Sequence, residues 1–133
     1  MPITVLKLGT PRRPYEGLRL GTVRRPPRGV PKTEFAKRDF YDIWLPALAP
    51  SPPLVSFALW ARDARAWKTF TRRYRAEMAK TDAARLLDLL AALSHQTNFS
   101  VGCYCENEDR CHRSILKELL AERGAELSGA VRV

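Results

Sequence analysis

The chain has 133 residues, 45% of them hydrophobic, which is the size of one domain (1–133) able to bury a core without disulfides or metal as staples. No run approaches the roughly 20 apolar residues of a membrane helix, and "MPITVLKLGTPRR" lacks the apolar centre of a secretory signal, so no membrane association and a cytoplasmic location are expected. The net charge of +9 is lopsided: residues 1–40 hold ten Lys or Arg against three Asp or Glu, which is +7 of it and suggests an anionic ligand or nucleic acid as partner.

Taken in order, the elements alternate between strand and helix. "ITVLKL" (Ile3 to Leu8) alternates apolar and polar residues from a β-branched start, the pattern of a half-buried strand, and "LRLGTV" (Leu18 to Val23) is a second. Pro11, Pro14 and Gly17 mark the loop between them. In "GTVRRPPRGVPK" the guanidinium groups of Arg24, Arg25 and Arg28 sit on a segment stiffened by Pro26, Pro27 and Pro31, so presenting them to an anion costs little ordering. The other reading of this segment is a solvated basic face.

From Asp39, "DFYDIWLPAL" predicts a short helix that Pro46 stops, and "LVSFALWARD" after "APSPP" leans to helix. Trp67, Phe70, Tyr74 and Met78 recur at helical spacing among Lys68, Arg72, Arg73, Arg75 and Glu77. They predict an inward aromatic stripe of core residues and a basic outer face. Thr81 or Asp82 is expected to cap the next helix, through Leu86, Leu87, Leu89, Leu90 and Leu93, with His95 exposed in the loop that follows.

"VGCYCENEDRCHRS" (Val101 to Ser114) holds all three cysteines. It reads as the end of a strand over Phe99 to Tyr104, a polar loop, and a helix "CHRSILKELLAERG" with an apolar stripe of Ile115, Leu116, Leu119 and Leu120, ended at Gly124. An odd number of clustered cysteines argues for reduced thiols rather than a disulfide framework. Strands at both ends of the chain with helices between predict an α/β fold, a small, mostly parallel sheet with several packed helices. In such sheets ligands bind beyond the carboxyl ends of strands, where this loop lies.

Four readings of the stretch stay open. Cys103, Cys105, Cys111 and His112 are a suitable ligand set for zinc, with Cys103 and Cys105 on one strand face. Against it, Cys111 and His112 are adjacent and would point about 100° apart if both were helical. As a reactive thiol, Cys111 at a helix N-terminus beside Arg113 is favoured as thiolate, although Glu106, Glu108 and Asp109 oppose it. The phosphate-cradling loop with five residues between Cys and Arg does not fit: Cys105 to Arg110 is one short and Cys103 to Arg110 one long. A Cys105–Cys111 dithiol couple lacks the C-x-x-C spacing. For anion binding, His112 and Arg113 stand in the first helical turn, where N–H groups attract phosphate. The plainest reading has the cysteines filling the core.

The order of "VRRPPRGVPK", "DIWLPALAPS", "WKTFTRRYRAEM" and "CYCENEDRCHRSILKELL" resembles the family called domain of unknown function 488 (DUF488), in its YeaO-like branch, nearly end to end. The resemblance implies a small α/β domain with helices on a short sheet. Its pattern of Cys at a strand end and Cys-His-Arg at a helix start falls on Cys103, Cys111, His112 and Arg113. YeaO-like relatives often have Tyr or Ala at the strand positions and Asn at the helix start, so the thiols are not required for the fold. Where relatives have Leu-Trp-Pro-Arg-Gly this chain has Arg25-Pro26-Pro27-Arg28-Gly29, and Arg28 is the residue the resemblance carries over.

The expected site therefore joins Arg24, Arg25 and Arg28, as ligand-binding residues, to Cys111, His112 and Arg113, as candidates for thiol-dependent chemistry. Its ligand would be phosphorylated or otherwise anionic, a nucleotide or nucleic acid. The alternatives are a nucleic-acid-binding module without catalysis and a zinc-stabilised structural domain. No cofactor other than zinc is suggested, and the sequence does not decide whether the protein is an enzyme.

Overall fold

Four short apolar stretches become the strands of a parallel sheet in the computed structural model, which describes residues 2–60, 63–105 and 111–128. They are β1 (Ile3–Lys7), β2 (Leu18–Gly21), β3 (Ile43–Trp44) and β4 (Phe99–Cys103), in the order β1-β4-β2-β3. Helices α1 (Pro52–Trp60), α2 (Ala64–Met78), α3 (Thr81–Leu93) and α4 (His112–Glu122) complete the α/β fold. The last strand in sequence is thus inserted between the first two. All five of its residues are buried, as expected of a central parallel strand.

The short helix predicted from Asp39 does not form. Ile43 and Trp44 pair with Leu20 and Gly21 as an edge strand, and Pro46–Leu48 makes one 3-10 turn. Strand pairing satisfies a two-residue segment that Pro46 bars from continuing as α-helix. "LVSFALW" is helical, as α1, and the cap of α3 is Lys80 rather than Thr81 or Asp82. Of the expected α3 stripe, Leu87 and Leu90 are buried while Leu89 and Leu93 are exposed; Ala83 and Ala91 complete the inner face. In α2, Phe70, Tyr74 and Met78 are buried and Trp67 half-buried, and in α4 the predicted stripe is buried in full. Asp63 caps α2, its carboxylate accepting from Ala66 N–H at 2.7 Å. Gly124, at φ +81°, turns the chain out of α4.

The helices cover one face of the sheet, packing on Ile3, Leu20, Phe99 and Val101. Irregular chain covers the other face, and there much of the N-terminal positive charge is consumed internally. The guanidinium of Arg19 is fully buried and donates to Glu16 Oε1, to Asp39 O and to Pro11 O. Arg12 pairs with Asp42 at 2.8 Å, and Arg38 with Glu34 at 3.6 Å. Arg24, Arg25 and Arg28 have no such carboxylate partner among the described residues.

Two glycines set the sheet's closest approach. Gly21 and Gly102 lie side by side across β2 and β4. A Cβ on Gly102 would come 2.7 Å from Leu6 O, and one on Gly21 2.4 Å from the Tyr41 ring. Backbone cannot yield as a side-chain tip can, so Gly102→Ala should destabilise the domain by about 1–3 kcal/mol in urea unfolding.

Removing one partner of the buried Arg19–Glu16 pair should cost more. Glu16→Ala strands a guanidinium away from water, an expected loss of about 3–5 kcal/mol by the same measurement. Acid dependence comes from Asp42. Burial opposes its carboxylate, but hydrogen bonds from Arg12 and from the backbone N–H of Arg19 outweigh that and lower its pKa. A pKa lower in the folded than in the unfolded state contributes stability that is full above the unfolded value, near 3.9, and lost as pH falls through the folded one. Asp42→Asn should therefore lower stability at pH 7 and flatten the acid limb of a stability–pH profile.

Candidate functional site

The chain leaves β2 toward the β3 edge, and leaves β4 through α4 toward β1, where Ile3 bridges Leu127. Two neighbouring parallel strands whose exits diverge leave a crevice beyond their carboxyl ends. A cavity of about 730 Å³ occupies it. The residues following β2 contribute Val23, Arg24 and Arg25 to its lining, the end of β4 contributes Cys103, Tyr104 and Cys105, and the start of α4 contributes Cys111 and His112. Trp67 and Phe70 of α2 form an aromatic wall.

Backbone geometry brings Cys111 and His112 together. Cys111 is the N-cap of α4, extended at φ −120° and ψ 149°, not helical. The 100° divergence expected of two helical neighbours does not apply, and Cys111 Sγ lies 3.7 Å from His112 Nδ1. Cys103, at the end of β4, meets it from the sheet: its Sγ is 2.6 Å from that of Cys111, and both cysteines are free and buried. The ligand atoms of Cys103, Cys111 and His112 all lie within 4.8 Å of one another.

His112 is held by three neighbours. Its Nε2–H donates to Thr22 O at 2.6 Å, which leaves the Nδ1 lone pair toward Cys111. Its ring lies edge-on to Tyr74 at 5.5 Å, and the Tyr74 hydroxyl donates to Leu48 O at 2.7 Å. Burial lowers its pKa, so the ring is neutral at pH 7. Trp67, Phe70 and Tyr74 stack in succession along α2 and lead from the cavity to this imidazole.

The three thiols divide their roles by position. Hydrogen bonds from Cys103 and Cys111 lower the pKa of Cys105, against the cost of burial, and the positive charge of Arg113 adds to this. The same hydrogen bonds raise Cys111, and burial raises it further. Negative charge in the cluster thus falls on the outermost sulfur, and Cys105 is the exposed one.

Arg24 and Arg25 share the cavity with Cys111 and His112; Arg28 is exposed and outside its lining. Arg24 is tethered, donating through Nε to Pro50 O and through Nη2 to Ala49 O. Arg25 is exposed, and its carbonyl accepts from the Tyr104 hydroxyl at 3.0 Å. Arg113 is only 4% exposed and does not line the cavity, and its Nε and Nη1 have no hydrogen-bond partner among the described residues. Glu106, Glu108, Asp109 and Arg110 lie outside the described residues. Sequence reasoning missed Thr22, which acts through its carbonyl, and the wall formed by Trp67 and Phe70, whose helical spacing signals burial equally well in a core.

A parallel α/β domain with a thiol–imidazole cluster in the crevice beyond its strands is the class of protein the fold and site define. The family model described as the active DUF488-N3 subclade matches residues 3–124, and the chain belongs to the DUF488 family. The YeaO-like branch is a finer placement than this match resolves. No curated protein and no solved structure matches the chain.

Thiol labelling checks the cluster's geometry. A bulky alkylating reagent should modify Cys105 rapidly in the native, reduced protein, and Cys103 and Cys111 only on unfolding, as read by intact mass and peptide mapping.

Proposed function

We propose that the crevice beyond β2 and β4 binds a phosphorylated or otherwise anionic ligand that also carries a ring, with a mononucleotide as the model of its chemistry. The observation that carries this reading is one cavity lined by Arg24 and Arg25, by Trp67 and Phe70, and by the Cys–His cluster. Guanidinium groups supply charge-assisted hydrogen bonds to phosphate, and the aromatic wall supplies apolar contact for a ring. Its volume of about 730 Å³ suits a small ligand. The buried, unpartnered Nε and Nη1 of Arg113 add positive potential behind the cluster.

Thiol-dependent chemistry on such a ligand falls to Cys105, the exposed thiol, rather than to Cys111. The matched subclade carries the descriptor active, which agrees with a site that does more than bind. Reduced, clustered thiols suit the cytoplasm. No described helix is long and apolar enough to cross a membrane.

Calorimetric titration with a nucleoside monophosphate, the matching nucleoside and inorganic phosphate tests the reading. The monophosphate should bind best, with affinity falling as salt rises. Arg25→Ala should weaken it about 10-fold or more, the worth of one charge-assisted hydrogen bond. Equal weak binding of all three probes, or an unaffected Arg25→Ala variant, refutes it. Tight, salt-sensitive binding of an oligonucleotide that Cys111→Ser does not change would favour a nucleic-acid-binding module instead.

A further inference from the structure

We infer that Cys103, Cys111 and His112 form a binding site for a soft divalent transition metal of the zinc class, with Cys105 at the fourth position on the cavity side. The inference stands apart from the anion reading, since it rests on donor geometry alone.

Two thiols and an imidazole are a donor set suited to zinc and poorly suited to the oxygen-seeking magnesium or calcium. With Zn–S near 2.3 Å and Zn–N near 2.0–2.1 Å, sulfur and nitrogen on adjacent tetrahedral corners stand about 3.6 Å apart. Cys111 Sγ and His112 Nδ1 are 3.7 Å apart. Two sulfurs of such a site stand about 3.8 Å apart, so Cys103 and Cys111 must separate by roughly 1 Å from their 2.6 Å contact, a small χ1 adjustment.

The surroundings match what a metal-bound histidine needs. A ligating imidazole donates its other N–H to a carbonyl or carboxylate, which fixes the tautomer and aims the lone pair. Thr22 O accepts from Nε2 at 2.6 Å, and the lone pair of Nδ1 faces Cys111 Sγ at 3.7 Å, with Cys103 Sγ in the same cluster. The three ligands come from a central strand end, a helix N-cap and the first helical residue. Cys105, two residues beyond Cys103, is exposed and lines the cavity where the cluster opens to it. Three thiolates around a dication leave one negative charge, which the buried guanidinium of Arg113 complements.

Cobalt titration of the reduced, chelator-treated full chain tests the site. One equivalent should produce a thiolate-to-cobalt charge-transfer band and the intense d–d bands of tetrahedral coordination, both displaced by Zn²⁺. Cys103→Ser and Cys111→Ser should abolish the spectrum, and His112→Gln should weaken binding at least ~10-fold. Cys105→Ser should keep the stoichiometry and lose about a third of the charge-transfer intensity, one thiolate of three. If the buried variants fail to fold, the wild-type chain supplies the deciding readout, a saturable rise in melting temperature with Zn²⁺ that a chelator reverses. A cobalt spectrum without charge transfer, or a melting temperature indifferent to Zn²⁺, overturns the assignment. Failure of nucleotide binding with the cobalt spectrum intact would count only against the anion reading.

Discussion

The arrangement of the molecule depends on the insertion of β4 between β1 and β2. A strand paired on both sides is buried on every residue, and it delivers the residue at its carboxyl end into the middle of the domain. Here that residue is Cys103. Leu8 N–H donates to Cys103 O at 2.8 Å and Thr22 N–H donates to Gly102 O at 3.0 Å, so the strand's end is clamped from both neighbours. The pair Gly21 and Gly102 lets backbone and ring come close enough for this clamp. A cysteine on an edge strand would have met water, and one in mid-strand would only have filled core.

The site is assembled by backbone groups as much as by side chains. The extended conformation of Cys111 as N-cap turns its thiol toward Cys103, while the first turn of α4 sends the imidazole of His112 to the same place. Thr22 O then fixes the imidazole, linking the end of β2 to the start of α4. A neutral imidazole, two buried cysteines and one exposed cysteine follow from these positions. Arg113, one residue further along the helix, is also buried, its Nε and Nη1 without a hydrogen-bond partner among the described residues.

The basic charge of the N-terminal third is put to two uses. The basic excess of residues 1–40 suggests an anionic partner, and within it Arg19 is wholly internal while Arg12 and Arg38 face carboxylates. Arg12 and Arg19 tie irregular chain together beside the sheet, where their guanidinium groups satisfy carbonyls that no strand pairs, Arg12 that of Ala36 and Arg19 those of Asp39 and Pro11. Arg24 combines both uses, since it tethers Ala49 and Pro50 while lining the cavity. The composition of the segment from Asp39 suits a helix, but an available strand edge and Pro46 decide otherwise.

The sequence by itself determined the strands β1, β2 and β4, the three long helices, the α/β class and the short list of chemistry-bearing residues, because periodicity and capping are local and survive in a linear reading. It also placed Cys111 and His112 at a helix start. Only the tertiary structure decided that β4 sits between β1 and β2, that Cys103 meets Cys111, that Arg24 and Arg25 reach their cavity while Arg28 does not, and that Trp67 and Phe70 are wall as well as core. Those outcomes depend on which strands pair and on the backbone angles of one capping residue. Neither is written in residue spacing, since adjacent residues diverge on a helix and converge at its cap.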